Sequence, residues 1–249
     1  MTKLRSLIFN SFVASLLLLP SLVAASEAGH EAMPSAQIDL GDTASLQRGA
    51  GLYMNYCAGC HSLGYQRYSR IAEDLGLSKE QVEQNLIFSE AKFGETIATG
   101  VDPAKGQLWF GKAPPDLSVV ARTKHEGGDW IYNYLKGFYI DESRPLGWNN
   151  TVFEGASMPN VLWELQGIQR PVYEHGEATH KPKLELVTPG RLSAEEFDKV
   201  ARDLSGFLQY TAEPAALQRE SIGVWVVLFL AFFTLLAYLL KTEYWRDVH

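Results

Sequence analysis

Cysteine is nearly absent from this chain. Only Cys57 and Cys60 occur among 249 residues, so no network of disulfides can staple the fold and no four-thiolate zinc site can be built. A basic surplus is missing too. The 22 Lys and Arg stand against 29 Asp and Glu, a formal charge of −7, which argues against nucleic acid as a partner. No internal repeat is present. Methionine is scarce, with four residues in all, and that scarcity narrows any search for a thioether ligand. Residues 222–240 lack charge altogether.

The two cysteines sit together in Cys57-Ala58-Gly59-Cys60-His61, the spacing of a covalent haem c attachment site. Two thiols at this separation meet the two vinyl groups of one porphyrin, and the imidazole that follows falls beneath the iron. Ala58 and Gly59 are small enough to let the ring approach the backbone. A thioredoxin-like redox pair or half of a zinc site would use the same spacing. Zinc wants more thiolates than this chain has, and a redox pair follows a strand in a βαβ pattern that is not seen here.

The two ends speak to location. Lys3 and Arg5 precede an apolar stretch densest over residues 12–19, then Pro20 and the small residues Val23-Ala24-Ala25. This is the layout of a signal peptide over residues 1–25; a short N-terminal anchor is the alternative. Export agrees with haem attachment, which needs reduced thiols presented outside the cytoplasm. Removing residues 1–25 takes the charge from −7 to −9, since Lys3 and Arg5 are the only charged residues among them. An acidic exported surface favours a basic soluble partner, although a solvated acidic face needs none. Residues 222–240, at about 1.5 Å each, span roughly 28 Å, close to the ~30 Å hydrocarbon core. Trp225, Tyr238 and Tyr244-Trp245 stand where interfacial aromatics belong. A buried core helix is the competing reading. The expected organisation is a signal peptide (1–25), an exported domain (26–214), a transmembrane helix (222–240) and a cytoplasmic tail (241–249).

Within the exported part, residues 26–42 are unpatterned. Thr43 or Ser45 caps a predicted helix through Leu46, Gly49, Leu52, Tyr53 and Tyr56 that delivers the chain to Cys57. Ser78-Lys79-Glu80-Gln81 has capping-box form and opens a short helix with Val82 and Leu86 inward. Frequent Gly and Pro predict irregular loop over residues 93–115. Residues 129–135 read as a helix stopped by Gly137. A second capping box, Ser193-Ala194-Glu195-Glu196, opens a helix with Phe197, Val200, Ala201, Leu204, Phe207 and Leu208 on one face, ended by Pro214. Residues 184–187 read as a short strand.

An electron-transferring haem with one histidine ligand commonly takes methionine or histidine as the other. Met1 and Met33 lie outside the expected folded body, and Met54 is on the attachment side. Met158, in Gly155-Ala156-Ser157-Met158-Pro159-Asn160, is far enough along the chain to wrap round, and Pro159 biases it to extended backbone. Of the histidines, His30 falls in the linker and His249 beyond the span. His175 and His180 remain, and His125 is the strongest rival to Met158.

These motifs, taken in order, resemble the cytochrome c1 family, the haem subunits of cytochrome bc1 complexes (ubiquinol–cytochrome c reductases). The likeness covers nearly the whole chain after residue 25. It is carried by Arg48-Gly49 and Tyr53, by Cys57 through Leu63 with Tyr65 and Tyr68-Ser69-Arg70, and by Ala113-Pro114-Pro115-Asp116-Leu117-Ser118. Arg122, His125, Gly127-Gly128-Asp129, Met158-Pro159, the helix after Ser193, Ala212-Glu213-Pro214 and the apolar span complete it. The resemblance implies a mainly α cytochrome c-type haem domain with long loops and one C-terminal transmembrane helix. It also implies one covalent haem c, with His61 and Met158 on the iron, Pro114 and Pro115 against the ring, and Arg122 or Lys124 near the propionates. The cysteine pair of some relatives is missing, so the loop before Met158 is expected to be held by packing alone. The implied role is electron relay without bond-making chemistry, from the Rieske iron–sulfur protein to a soluble c-type cytochrome, beside cytochrome b. The setting implied is a bacterial inner membrane with the haem domain in the periplasm. A free-standing membrane-anchored cytochrome c or a terminal-oxidase haem subunit would be built from the same parts.

Overall fold

A computed structural model of the chain describes residues 33–173 and 182–247. The expected signal peptide, His30, His175, His180 and His249 lie outside the described residues. The chain divides into two units, Met1–Met33 and Pro34–His249, and the elements below all belong to the second.

The described residues are mainly helical. In chain order they form α1 (Thr43–Tyr56), β1 (Leu63–Arg67), α2 (Tyr68–Leu75), α3 (Lys79–Asn85), β2 (Thr96–Ile97), α4 (Pro103–Phe110), α5 (Val120–Thr123) and α6 (Gly128–Lys136). There follow β3 (Phe138–Ile140), β4 (Trp148–Asn150), α7 (Trp163–Gln166), β5 (Gly167–Val172), β6 (Lys183–Pro189), α8 (Ala194–Ala212) and α9 (Ala216–Tyr244). The strands make three separate antiparallel pairs, β1–β2, β3–β4 and β5–β6. In the second, Phe138 faces Asn150 and Ile140 faces Trp148.

The centre of the domain is the crossing of α1 with α8. Gly49 is the contact point: a Cβ there would lie 2.1 Å from the Asp203 carbonyl oxygen and 2.7 Å from the Phe207 Cβ. Only glycine lets the two backbones come this close. Polar groups lock the same crossing. Arg48 donates from Nε and Nη2 to the two Asp203 carboxylate oxygens at 2.6 and 2.9 Å, and Ser45 Oγ donates to Oδ1 at 2.5 Å. Asp203 is thus buried with its lone pairs occupied. The Tyr53 and Phe207 rings meet beside them, tilted by 47° with centroids 5.7 Å apart. Fully burying a ring such as Phe207 contributes on the order of 2–3 kcal/mol, so this crossing is the main apolar seam.

Both capping boxes form. Ser78 and Gln81 exchange hydrogen bonds at 3.1 and 2.7 Å, with Val82 and Leu86 buried as expected. Ser193 and Glu196 do the same for α8, and Gly137 ends α6. The cap of α1 is corrected. It is Asp42, whose Oδ1 accepts from Ser45 N at 3.0 Å, because a carboxylate one residue earlier outcompetes the Thr43 and Ser45 hydroxyls for the exposed amides.

The expectation of irregular loop over residues 93–115 is also corrected. It contains β2 and the two-turn helix α4. Asp102 caps α4 by accepting from Ala104 N and Lys105 N, Pro103 takes the first helical position, and Gly111 ends it with φ +74°. Each is an ordinary helix-end signal; the Gly and Pro that suggest loop are the punctuation of a short helix. The strand expected at 184–187 is longer, Lys183–Pro189, and pairs with Gly167–Val172.

Among the described residues α9 alone is long and apolar enough to cross a membrane, and none of its apolar window is buried. Its 29 residues, at about 1.5 Å each, extend ~43 Å, so the helix continues past both ends of the charge-free stretch. None of the described residues covers its Trp, Phe and Leu side chains, as expected of a membrane anchor and not of a core helix.

Candidate functional site

The chain runs out of α1 directly into the attachment motif. Cys57 caps the helix, and its carbonyl accepts from Cys60 N at 3.0 Å and His61 N at 2.8 Å, so the motif winds one more turn. That turn brings Cys57, Cys60 and His61 to the wall of one cavity of about 290 Å³. The cysteines are not disulfide-bonded. Cys57 is buried, and burial, with the neighbouring Cys60, pushes its thiol up to about 12. A redox CxxC needs the opposite, a thiol lowered toward neutrality.

The second wall is built from the Ala113–Ser118 stretch, tied to the attachment motif and the residues after it by one main-chain bond and several side-chain contacts. Leu117 N donates to Ser62 O at 2.9 Å. Asp116 accepts from Gly64 N at 2.7 Å and from Ser118 N at 2.7 Å, and Ser118 Oγ accepts from Tyr65 N at 3.1 Å. Pro115 O lies 2.7 Å from His61 Nδ1. A carbonyl can only accept, so the proton sits on Nδ1 and Nε2 is left as a lone-pair donor. Burial lowers the His61 pKa, against the raising effect of the Pro115 carbonyl, and a neutral ring is the ligating form. Helix α4 closes in behind: a Cβ on Gly106 would lie 2.7 Å from the Pro114 Cδ. Pro114 and Pro115 both line the cavity and bring no N–H into it.

Met158 lines the same cavity, although 97 residues separate it from His61 in the sequence. The loop that carries it is held by side-chain amides. Asn149 Oδ1 accepts from Gly155 N at 2.8 Å and Arg144 Nη2 donates to Gly155 O at 2.7 Å. Asn150 Oδ1 accepts from Val152 N at 2.8 Å and Phe153 N at 3.2 Å, while its Nδ2 donates to Tyr134 O at 2.8 Å. Beyond Met158, Asn160 accepts from Leu162 N and donates to Gln166 Oε1, both at 3.0 Å. The expectation of packing alone is therefore corrected: a polar network does much of the holding.

His125 is exposed and is not among the residues lining the cavity. Of the two basic candidates, Lys124 lines the cavity, whereas Arg122 is exposed on α5 and does not. Much of the remaining wall comes from residues that sequence reasoning did not select as pocket residues, among them Trp130, Tyr134, Phe110, Phe153, Leu204 and Leu208. For Leu204 and Leu208 the signal was the apolar face of α8; for the aromatics there was none.

This donor set fits a haem c. Two unpaired thiols, an imidazole with a free Nε2 and a thioether converge on a largely apolar cavity, and a low-dielectric wall is what such a cofactor requires. By contrast, no group of three or more His, Cys, Asp or Glu is placed to hold a bare metal ion among the described residues.

The comparisons agree with that fit. A 49% identical relative, cytochrome c1 of Allochromatium vinosum, aligns over 99% of this chain and all of its own length. The ammonia monooxygenase gamma subunit of Nitrosomonas europaea is 40% identical over 96% of this chain and 98% of its own. Cytochrome b/c1 of Bradyrhizobium diazoefficiens is 27% identical over 84% of this chain, which covers 34% of that longer protein. The Cytochrome C1 family profile matches residues 35–98 and 102–248, which takes in every wall of the cavity and the anchor helix. The chain belongs to the Cytochrome C1 family.

Proposed function

We propose that this chain is the haem c subunit of a cytochrome bc1 complex, taking electrons one at a time from a Rieske iron–sulfur protein and passing them to a soluble c-type cytochrome. Family membership supports covalent haem c and a place beside cytochrome b, and the relative whose name joins b and c1 points the same way. The observation that carries the reading is the convergence of Cys57, Cys60, His61 and Met158 on one apolar cavity.

The haem, when bound, supplies a one-electron iron couple. Everything else is done by the chain. Cys57 and Cys60 would hold one haem by thioether bonds. His61, its Nδ1 proton committed to the Pro115 carbonyl, would offer Nε2 as one iron ligand, and Met158 its sulfur as the other. A neutral soft ligand favours the reduced iron and raises the potential above that of a two-histidine site. Pro114, Pro115 and the aromatic walls exclude water. Lys124 would supply positive charge at the cavity wall, with Arg122 outside it, for the acidic groups of the haem. No residue is assigned as acid, base or nucleophile, because electron relay makes and breaks no bond; turnover belongs to the complex.

The proposed organisation keeps a cleaved signal peptide (1–25), a haem domain (26–214) in the periplasm, a span through the bacterial inner membrane (222–240) and a short cytoplasmic tail (241–249). Residues 26–249 carry a formal charge of −9, so the soluble acceptor should dock through basic groups and its reduction should slow as salt rises.

Pull-down through a C-terminal tag, with haem staining after denaturing electrophoresis, tests the assignment. A haem-stained band of this chain should come with cytochrome b and a Rieske protein. Recovery of the haem chain by itself would favour a free-standing cytochrome. Recovery with the subunits of a monooxygenase would move it to the class that the Nitrosomonas relative's name suggests.

A further inference from the structure

Lys124 caps α5 in extended conformation, φ −96° and ψ 139°, and its Nζ lies over two aromatic rings at once. The Trp130 ring centre is 4.3 Å away and that of Phe153 is 5.4 Å away. Trp130 stacks on Tyr134 at 4.9 Å, nearly parallel, and Tyr134 meets the Phe138 edge at 5.0 Å. Phe138 pairs with Asn150 across β3–β4, and Asn150 in turn holds the Tyr134 carbonyl and the Phe153 amide. The contacts close a ring from Lys124 through α6 and the β3–β4 hairpin to Phe153 and back to Lys124.

Phe153 stands five residues before Met158, and Lys124, Trp130, Tyr134, Phe153 and Met158 all line the one cavity. Phe153 is half exposed; Asn150 holds its amide, and its ring meets the same cation that sits on Trp130. Ammonium groups bind ring faces through the quadrupole, most strongly where water is partly excluded. We propose that Lys124 is a positioning residue for Met158, its ammonium bridging Trp130 and Phe153 so that the loop carrying the sulfur is pinned to α6. This rests on the reading of Met158 as an iron ligand, and it gives Lys124 a task beyond adding positive charge beside the propionates.

The holoprotein, full length in detergent, tests it with carbon monoxide as the probe. Ferrous haem binds carbon monoxide only when the sixth ligand has let go, so its apparent affinity measures how often the loop opens. Lys124→Met keeps the length of the side chain and removes the charge; Phe153→Leu removes the ring. Each should raise carbon monoxide affinity roughly tenfold, the factor equivalent to about 1.4 kcal/mol, and weaken the sulfur-to-iron charge-transfer band of the ferric form. Lys124→Arg should restore both, since a guanidinium also sits on rings. Combining Lys124→Met with Phe153→Leu should do no more than either one, because both break one contact.

A Lys124→Met protein that shifts in potential yet stays closed to carbon monoxide, or a silent Phe153→Leu, would overturn the clamp and leave Lys124 as a charge only. Met158→Leu separates the two claims. If it opens the haem to carbon monoxide while Lys124→Met does not, the clamp fails and the ligand stands. If Met158→Leu leaves the haem closed, the ligand assignment itself is wrong and the clamp falls with it.

Discussion

The two sides of the cavity are held by different means. On the attachment side, Cys57 through Tyr65 and Ala113 through Ser118 are joined by one main-chain bond, Leu117 N to Ser62 O. Asp116, Ser118 and the His61 ring add contacts with single backbone groups, and Pro115 and Asp116 lie exposed. On the Met158 side, side-chain amides and a guanidinium reach across turns: Arg144, Asn149, Asn150 and Asn160 each tie backbone groups of their own or neighbouring segments. An exposed contact tolerates substitution, because water takes the place of the lost partner. A network of buried amides does not, since each lost group leaves donors and acceptors dry. The attachment side should therefore depend on a few chemical groups, and the methionine side on many polar ones.

The largest effect expected is chemical. Cys57→Ala combined with Cys60→Ala removes both thioether bonds, and haem staining after denaturing electrophoresis should vanish. Haem that survives denaturation there would show that the attachment side is not where the cofactor is bound. Met158→Leu should be milder on that assay, with the haem retained, but the reduction potential should fall and the sulfur-to-iron band should disappear. If His125→Ala causes that loss instead, the methionine side has been misassigned.

Stability sharpens the contrast. Asn150 is fully buried and satisfies three backbone groups, so Asn150→Ala should lower unfolding free energy toward the upper end of the ~1–3 kcal/mol that stranding a buried polar group costs. Asp116→Ala, at an exposed position, should cost only about 1 kcal/mol, because water can replace its two acceptor contacts. Denaturant titration of the two holoproteins side by side checks the order, and a reversed order would break the comparison.

The smallest effect is in acid. Hydrogen bonds from Ser143 and Asn149 hold the Asp141 carboxyl below the usual aspartate value. A lowered folded-state pKa means that its contribution is complete above the unfolded value of about 3.9 and is lost as pH falls through the folded value. The wild-type chain should thus lose a little stability below about pH 4 that Asp141→Asn never had. Parallel acid limbs in the two proteins would show that this carboxylate holds nothing on the Met158 side.

Legibility in the sequence follows the same divide. CxxCH, the two capping boxes, the apolar face of α8 and the charge-free anchor are local patterns, and each lies where local chemistry puts it. Helix α4 was missed although Asp102, Pro103 and Gly111 announce it, because the same residues punctuate loops. Its importance lies in Gly106 against Pro114, a contact no window of sequence contains. Trp130, Tyr134 and Phe153 carry no motif, and nothing in their neighbourhoods says that they wall a cavity with residues from α1 and α8.

By itself the sequence determined the cofactor chemistry, the anchor and a mainly α domain. Thiol spacing, an adjoining imidazole and a run of apolar side chains are covalent facts whose consequences need no partner from elsewhere in the chain. The tertiary structure alone decided that Lys124 rather than Arg122 faces the cavity, that Gly49 is the crossing point of α1 and α8, and that a polar network shares with packing the holding of the methionine loop. Those outcomes depend on which distant groups are brought within a few ångströms of one another, and hydrogen bonds and ring contacts act only over that distance.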